Sequence, residues 1–390
     1  MNVRPLRVCY FGTYRANYSR NQIMIEALRR NNVEVMECHE PLWHGIEDRV
    51  HVASGGWLNP RFLARCARTY WRLLRAHRQT GQYDVMVLGY PGQMDVYLAR
   101  LLAWIRRKPL VLDVFMSLFL IASERGLTAR HRMTSRLIFW LEKGALRLPD
   151  LLIQDTAEYV EWFERVFGME SARFRLVPTG ADDRVFQPVE ADRPHDRLFR
   201  ALYYGTFIPN HGVEQIVEAA RLVADDPVIR FELVGEGPDR GRAISLVRQH
   251  GLENVECLDW MEQDELVAAA ASADVCLGVF GTTPQSLMTI QNKIYEGLAM
   301  AKAVITGDSR TVRGSLVHGK HVYLCERGNP QALAEAVRVL KADPELRRSL
   351  GQDGFRLFQA RFSLQRIGAQ YAGHLRELVS GQHHGGRQPA

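Results

Sequence analysis

Residues 284–307 read PQSLMTIQNKIYEGLAMAKAVITG, and the rest of the chain is organised around them. The stretch parses as a loop, an amphipathic helix and a short buried strand. Asn292 is placed to cap the helix, and Ile294, Tyr295 and Leu298 fall on or beside one face at helical spacing. Ala303, Val304 and Ile305 make a run suited to a parallel strand. Lys293 and Glu296 are three apart, so both side chains leave the same side of the first turn. Backbone N–H groups at a helix start attract anions, and the lysine adds a cation. A carboxylate one turn further can accept two hydrogen bonds from a vicinal diol such as a ribose. Together these are half of a nucleotide-sugar site. The same residues also suit an ordinary α/β surface helix with an i,i+3 ion pair, and the pattern alone leaves both open.

Outward from this stretch, the second half alternates strands and helices, which predicts a parallel sheet. A strand at 201–204 leads into the loop Gly205-Thr206-Phe207-Ile208-Pro209-Asn210-His211-Gly212 and a helix at 213–224. A loop that ends in glycine before a helix N-terminus suits anions. A strand at 231–234 ends in Gly235-Glu236-Gly237-Pro238, a near miss to a dinucleotide motif because Arg240 holds the third glycine's place. The strand 255–258 runs into Asp259-Trp260-Met261, and 273–279 leads to the loop before the opening helix. Helices follow at 331–340, 344–360 and 364–379. The tail 380–390 is rich in Gly and His and is expected to be disordered; its two histidines are a weak metal signal.

The first half opens with a strand at 6–11, a loop, a helix at 20–31 and a strand at 33–38. This is the start of a Rossmann-like domain without G-x-G-x-x-G. The loop carries Gly12, Thr13, Tyr14, Tyr18, Arg20 and Asn21 at the carboxyl end of a strand, where open parallel sheets bind ligands; a capping loop explains them equally well. Further strands are expected at 83–90, 110–115, 151–154 and 175–178, with helices at 94–106 and 132–147. Asp113, near a strand end, suits either a helix cap or a sugar hydroxyl. Residues 59–79 form a basic amphipathic helix, with Arg61, Arg65, Arg68, Arg72 and Arg75 on one side. Such a helix lies on an anionic membrane or is simply solvated.

At 390 residues, with 46% hydrophobic and 24% charged content, the chain fits a two-domain globular protein. No apolar run is long enough to span a bilayer. MNVRPLRVCYFG enters a strand almost at once, so no signal peptide is expected. Six cysteines without a C-x-x-C pair suit reduced core residues, and a cytoplasmic location is the expectation. The net charge of +6 is uneven: residues 1–187 hold 27 Lys and Arg against 19 Asp and Glu. An acidic surface or substrate suits that half; no nucleic-acid partner is expected. A domain boundary is read at 187/188, within the Pro- and charge-rich linker 187–197.

NKIYEGLAMAKAVIT resembles the donor-site helix of retaining GT-B glycosyltransferases of the GT4 kind (glycosyl transferases group 1). The resemblance extends to the turn 177–182 before the linker and to a terminal helix, 364–379, that crosses back onto the first domain. It implies two Rossmann-like domains facing across a cleft: 1–187 for the acceptor and 188–363 for the nucleotide-sugar. Glu296 is then implied to hold the ribose. Gly205, Thr206, Gly235, Asn292 and Lys293 meet the diphosphate side, and Trp260 and Met261 the base. The paired glutamate expected eight residues earlier is Met288, and the usual Arg and Lys of the first glycine loop are Thr206 and His211. Charge is therefore reduced unless His211 is protonated or Arg240 or Arg242 substitutes. Lys293, His211 and Asp113 are the implied catalytic residues, and Gly12, Thr13, Tyr14, Arg20 and Asn21 the implied acceptor loop. The expectation is a metal-independent retaining transferase acting on a glycan, lipid-linked or small-molecule acceptor, with no cofactor beyond its nucleotide-sugar substrate. The absence of a paired D-x-D supports the metal part. A GT-B nucleotide-sugar epimerase and a non-catalytic binding relic remain as alternatives.

Overall fold

The computed structural model describes residues 4–42, 59–126, 132–190 and 198–385. It divides into two compact units, Met1–Pro178 with Leu364–Ala390, and Thr179–Ser363. The division precedes the boundary expected at 187/188 because Ala181 and Phe186 are already buried in the second unit's core. Most of the expected linker, residues 191–197, lies outside the described residues.

In the first unit β1 (Leu6–Gly12), β2 (Val33–His39), β3 (Val85–Leu88), β4 (Leu110–Asp113), β5 (Leu151–Gln154) and β6 (Phe174–Leu176) form one sheet in the order β2-β1-β3-β4-β5-β6. In the second, β7 (Phe199–Tyr204), β8 (Ile229–Val234), β9 (Val255–Leu258), β10 (Val275–Leu277), β11 (Ala303–Gly307) and β12 (Tyr323–Cys325) follow the order β12-β11-β10-β7-β8-β9. Every pairing is parallel. The central strands are apolar on both faces, as helix-covered parallel strands must be: β3 is VMVL and buried throughout.

The helix Leu364–Gly385 belongs to the first unit. Ile367, Tyr371 and Leu375 share its core with Ile23 and Ala27 of the helix Ser19–Arg30. A Cβ on Gly368 would fall 2.0 Å from the Ala27 carbonyl, so glycine permits this close packing. The helix reaches Gly385, which corrects the disordered tail expected from 380; residues 386–390 lie outside the described residues.

Around the opening stretch two details differ from expectation. Pro284–Met288 is a short helix rather than loop, because Thr283 accepts from the Ser286 N–H and Pro284 fits the first turn. Asn292 is the first helical residue of Asn292–Ala299, not its cap; Gln291 holds that position with extended backbone.

Candidate functional site

The second sheet reverses its strand order between β7 and β10, and open parallel sheets bind ligands at such a point, beyond the carboxyl ends of the strands. The loops after β7 and β8 and the start of the helix Asn292–Ala299 meet there. Gly205 and Gly235 have φ of +135° and +127°, which side-chain-bearing residues rarely adopt. A Cβ on Gly235 would lie 2.2 Å from the Gly205 carbonyl, and one on Gly205 would lie 3.0 Å from Lys293 Nζ. Glycine at both positions keeps these backbones against the lysine.

Lys293 and Glu296 are both buried. Burial pushes Lys293 down to about 7, partly offset by the Glu296 charge. Burial pushes Glu296 up to about 7, against the Tyr204 hydroxyl and Lys293, which favour its ionised form. Lys293 Nζ lies 4.3 Å from the centroid of the Tyr203 ring, a cation–π contact, and 3.2 Å from His211 Nδ1. Tyr203 Oη is 2.8 Å from the same nitrogen. An ammonium has no lone pair, so Nδ1 accepts and the imidazole is neutral. Burial, then the Lys293 charge, hold His211 well below the ordinary value. A protonated His211 therefore does not supply the missing charge.

Arg240 and Arg242 do not supply it either. The first is paired with Asp259 at 2.5 Å and the second with Glu214 at 2.8 Å. Arg327, which sequence patterning gave no reason to single out, is a buried cation close by. Its Nη1 donates to Gly281 O (3.1 Å) and Ser286 Oγ (2.8 Å), and its Nε to Asp308 O (2.9 Å). Its Nη2 is buried without a partner, and burial pushes its pKa down to about 10. It borders an open cavity of about 700 Å³ beyond β11 and β12, lined also by Asp308, Ser309 and Arg313. The Thr206 carbonyl accepts from Tyr203 Oη at 3.1 Å. Trp260 is exposed beyond β9, and Met261 beside it packs partly on the core. Met288 is buried. Among the described residues no three His, Cys, Asp or Glu are grouped to hold a metal.

The first unit places the expected acceptor-side residues in contacts within the fold. Arg20 and Asp113 form a bidentate pair, Nε to Oδ2 at 2.9 Å and Nη2 to Oδ1 at 3.0 Å, with both side chains wholly buried. Arg20 also donates to Val177 O at 2.9 Å. A guanidinium and a carboxylate matched this way hold the fold together, with both carboxylate oxygens facing the guanidinium. Asn21 is spent on backbone: its Nδ2 donates to Tyr90 O and Arg15 O, and its Oδ1 accepts from Tyr90 N. Tyr14 is buried and donates to Glu37 at 2.9 Å. Thr13 donates through both N–H and hydroxyl to buried Asp95, and Gly12, with φ of +132°, passes close to the same carboxylate. The loop is pinned from below by its polar groups.

What the first unit leaves at its own strand-order reversal, between β1 and β3, is aromatic. Tyr18 and Tyr90 rings are 5.3 Å apart, and Phe115 lies 5.4 Å from Tyr90 and 6.0 Å from Tyr18. Phe115 has φ of +53°, a strained conformation for a bulky residue. Asp155, at the end of β5, is buried with Oδ1 unpartnered and is pushed up to about 7 by burial. Tyr18 was among the loop residues read from sequence; Phe115 and Asp155 gave no signal, because backbone strain and an unmatched oxygen are properties of the folded chain.

Two parallel-sheet units, each with loops beyond its strand-order reversal, match the GT-B fold. A family model described as glycosyl transferases group 1 matches residues 199–343, the region that carries Gly205, His211, Lys293, Glu296 and Arg327. The alpha-D-kanosaminyltransferase of Streptomyces kanamyceticus is 26% identical over 280 residues, 69% of this chain and 71% of that one. The chain spans less than half the length of the other curated relatives. Among solved structures, sucrose-phosphate synthase from Thermosynechococcus elongatus aligns with a TM-score of 0.71 at 19% identity, over 97% of this chain and 100% of that one. Anabaena HepE, in complex with UDP, aligns with a TM-score of 0.68 at 16% identity, over 96% and 100%. Over residues 199–343 the chain is similar to glycosyl transferases group 1, and both of its units share the GT-B fold of these solved structures.

Proposed function

We propose that this chain is a glycosyltransferase that moves a sugar, with retention at the anomeric carbon, from a nucleotide-sugar donor to a glycan, lipid-linked or small-molecule acceptor, without a metal. The observation that carries the donor assignment is the buried Lys293 and Glu296 pair at the strand-order reversal of the second sheet. Burial holds both near neutrality, a cost that a diphosphate beside the lysine and a ribose diol beside the glutamate would offset. Lys293 then stabilises the departing phosphate, and Glu296 anchors the ribose. Neutral His211 steadies the lysine by accepting from it, and buried Arg327 adds a second cation to the same half. Trp260 and Met261 border the base. Anabaena HepE has been solved with UDP and with UDP-glucose, which makes UDP the first nucleotide to test.

On the acceptor side, half-buried Tyr18, backed by the buried rings of Tyr90 and Phe115, is the aromatic residue placed to meet a sugar. Retention rests on the resemblance of NKIYEGLAMAKAVIT to retaining enzymes, and proton NMR of the freshly formed glycoside reads it directly. Metal independence is read from activity that survives prolonged EDTA treatment; loss restored by Mg²⁺ or Mn²⁺ refutes it. A cytoplasmic enzyme touching the inner membrane face through residues 61–75 completes the reading. The deciding experiment is calorimetric titration with UDP. Glu296→Ala should weaken binding by roughly 1.5–3 kcal/mol, the range for a hydrogen bond to a charged group. Equal affinity in a folded variant removes the ribose assignment.

A further inference from the structure

The basic helix is one part of a broader surface. Three helices of the first unit, Pro60–Gln79, Val96–Arg106 and Arg132–Arg147, connect β2 to β3, β3 to β4 and β4 to β5. All three crossovers advance the same way across the sheet, and right-handed connection puts them on one face. Side-chain bonds tie them edge to edge. Tyr70 Oη donates to Asp95, just ahead of the second helix, at 2.8 Å; Arg106 donates to His77 O at 3.3 Å; Tyr97 Oη donates to Leu141 O at 2.5 Å.

The outer surface of this layer is both apolar and cationic. Met94, Tyr97, Leu101 and Trp104 recur at helical spacing and are all exposed, with Ile105 beside them. Met133, Leu137 and Trp140 form a matching stripe on the third helix. Exposure reaches 59% at Trp71, 70% at Trp104, 63% at Trp140 and 85% at Met133, against the usual burial of such residues. The three helices carry six, two and four Arg or Lys. Their one acid, Glu142, is buried and occupied in accepting from Ser117 Oγ and the Leu118 and Phe119 N–H groups. Each of these three tryptophans has a cation by its ring: Arg75 by Trp71, Arg100 by Trp104 and Lys143 by Trp140.

We infer that this three-helix face seats the enzyme on an anionic lipid bilayer, with Trp71, Trp104 and Trp140 at headgroup depth, Ile105, Leu101 and Met133 in the acyl boundary, and the arginines on lipid phosphates. Tryptophan beside a cation is suited to that depth, one part apolar and the other wet. The aliphatic residues between the tryptophans gain by entering hydrocarbon and gain nothing by stacking on nucleobases. A protein partner would need an equally dense acidic surface. The inference deepens the membrane contact proposed above for residues 61–75 and is independent of the donor assignment.

Sedimentation of the full chain with vesicles tests it. Wild type is expected to pellet with phosphatidylcholine vesicles containing phosphatidylglycerol, not with phosphatidylcholine alone, and to release as salt rises. Arg68→Gln, Arg72→Gln and Arg75→Gln together should lower the partition coefficient on the order of 100-fold, about fivefold for each charge. Trp104→Ser with Ile105→Ser should lower it about tenfold through lost apolar burial. Thermal unfolding checks that both variants are folded, and UDP titration is run separately, so a failed donor assignment leaves this test intact. Three outcomes overturn the inference: equal partition into neutral vesicles, variants that pellet like wild type, or a lipid-free dimer that Trp104→Asp dissolves into monomers, which would make the face a protein interface.

Discussion

Arg20 with Asp113, and Lys293 with Glu296, are two buried cation–carboxylate couples set at the carboxyl ends of their respective sheets. The first couple is closed: a planar guanidinium meets both carboxylate oxygens at 2.9 and 3.0 Å and spends a further donor on Val177 O. The second is open. Its lysine leans on a neutral imidazole and an aromatic face, and its carboxylate rests near a tyrosine. Both are charged residues near a strand-order reversal, and sequence reading treated both as site residues. The difference lies in how completely each is matched. A fork that fits its carboxylate holds a fold together, while a compact ammonium with spare donors waits for a ligand.

Breaking the closed couple should have the largest effect. Asp113→Asn, or Arg20→Leu, leaves an uncompensated charge or unmatched donors in a fully buried setting and should cost about 3–5 kcal/mol of stability. Chemical denaturation measures it. UDP affinity of whatever fraction stays folded should equal wild type, since the donor residues lie in the other unit. A stable Asp113→Asn enzyme that loses activity alone would return this aspartate to the catalytic list.

The open couple should respond in the opposite sense. Lys293→Met should weaken UDP binding by roughly 1.5–3 kcal/mol while raising the melting temperature. The sign follows from linkage. The lysine's folded pKa is pushed down from its ordinary 10.5 to about 7, so the native state binds fewer protons than the unfolded chain between those values. Its contribution is unfavourable at pH 7 and relaxes as pH rises toward 10.5. Methionine removes the buried ammonium. A variant that loses both binding and stability would show the lysine to be structural, like Arg20.

How much of this could be read beforehand follows the same division. The alternation of strands and helices, the helix at 292–299 and the glycine loop after β7 were legible because periodicity and glycine spacing are local properties. Lys293 and Glu296 were legible because one helix carries both. The acceptor-loop residues were named from their proximity to a strand end, which does not reveal whether a side chain is already used. Arg20 is matched 93 residues away and Asn21 69 away, at distances no local pattern reports. Arg327 was missed for the same reason: it sits 41 residues from Ser286 in sequence and 2.8 Å from it in space. Asn292 was off by one position, because the extended backbone at Gln291 sets where the helix begins.

The pH dependence of UDP binding sharpens the comparison further. Binding favours protonated Lys293 and ionised Glu296, and both titrate near 7 in the free protein. Above pH 7 the free lysine loses its proton and affinity should fall, by up to tenfold per unit. Below pH 7 the glutamate gains one, and a protonated acid is a poorer acceptor for a diol. The two groups act on each other, so the bell-shaped profile belongs to the pair. Affinity that stays flat from pH 6 to 8.5, measured calorimetrically, is incompatible with an open couple.

The smallest expected effect concerns Arg240 and Arg242, the two cations that sequence reading offered as substitutes for the missing loop charge. Each is committed to a partner at the surface, Arg240 to an exposed Asp259 and Arg242 to Glu214. Exposed pairs of this kind contribute about 0–1 kcal/mol and are screened by salt. Arg240→Ala and Arg242→Ala should therefore shift stability by no more than that, and UDP affinity hardly at all. Arg327→Met is the informative contrast: it removes a buried cation that bridges Gly281 O, Ser286 Oγ and Asp308 O, so it should disturb both the loop and the nucleotide. If Arg240→Ala instead weakens UDP as strongly as Arg327→Met, the Asp259 pair must open on binding. The distinction between matched and waiting charges would then hold for buried couples only, because a surface arginine can leave its partner at little cost.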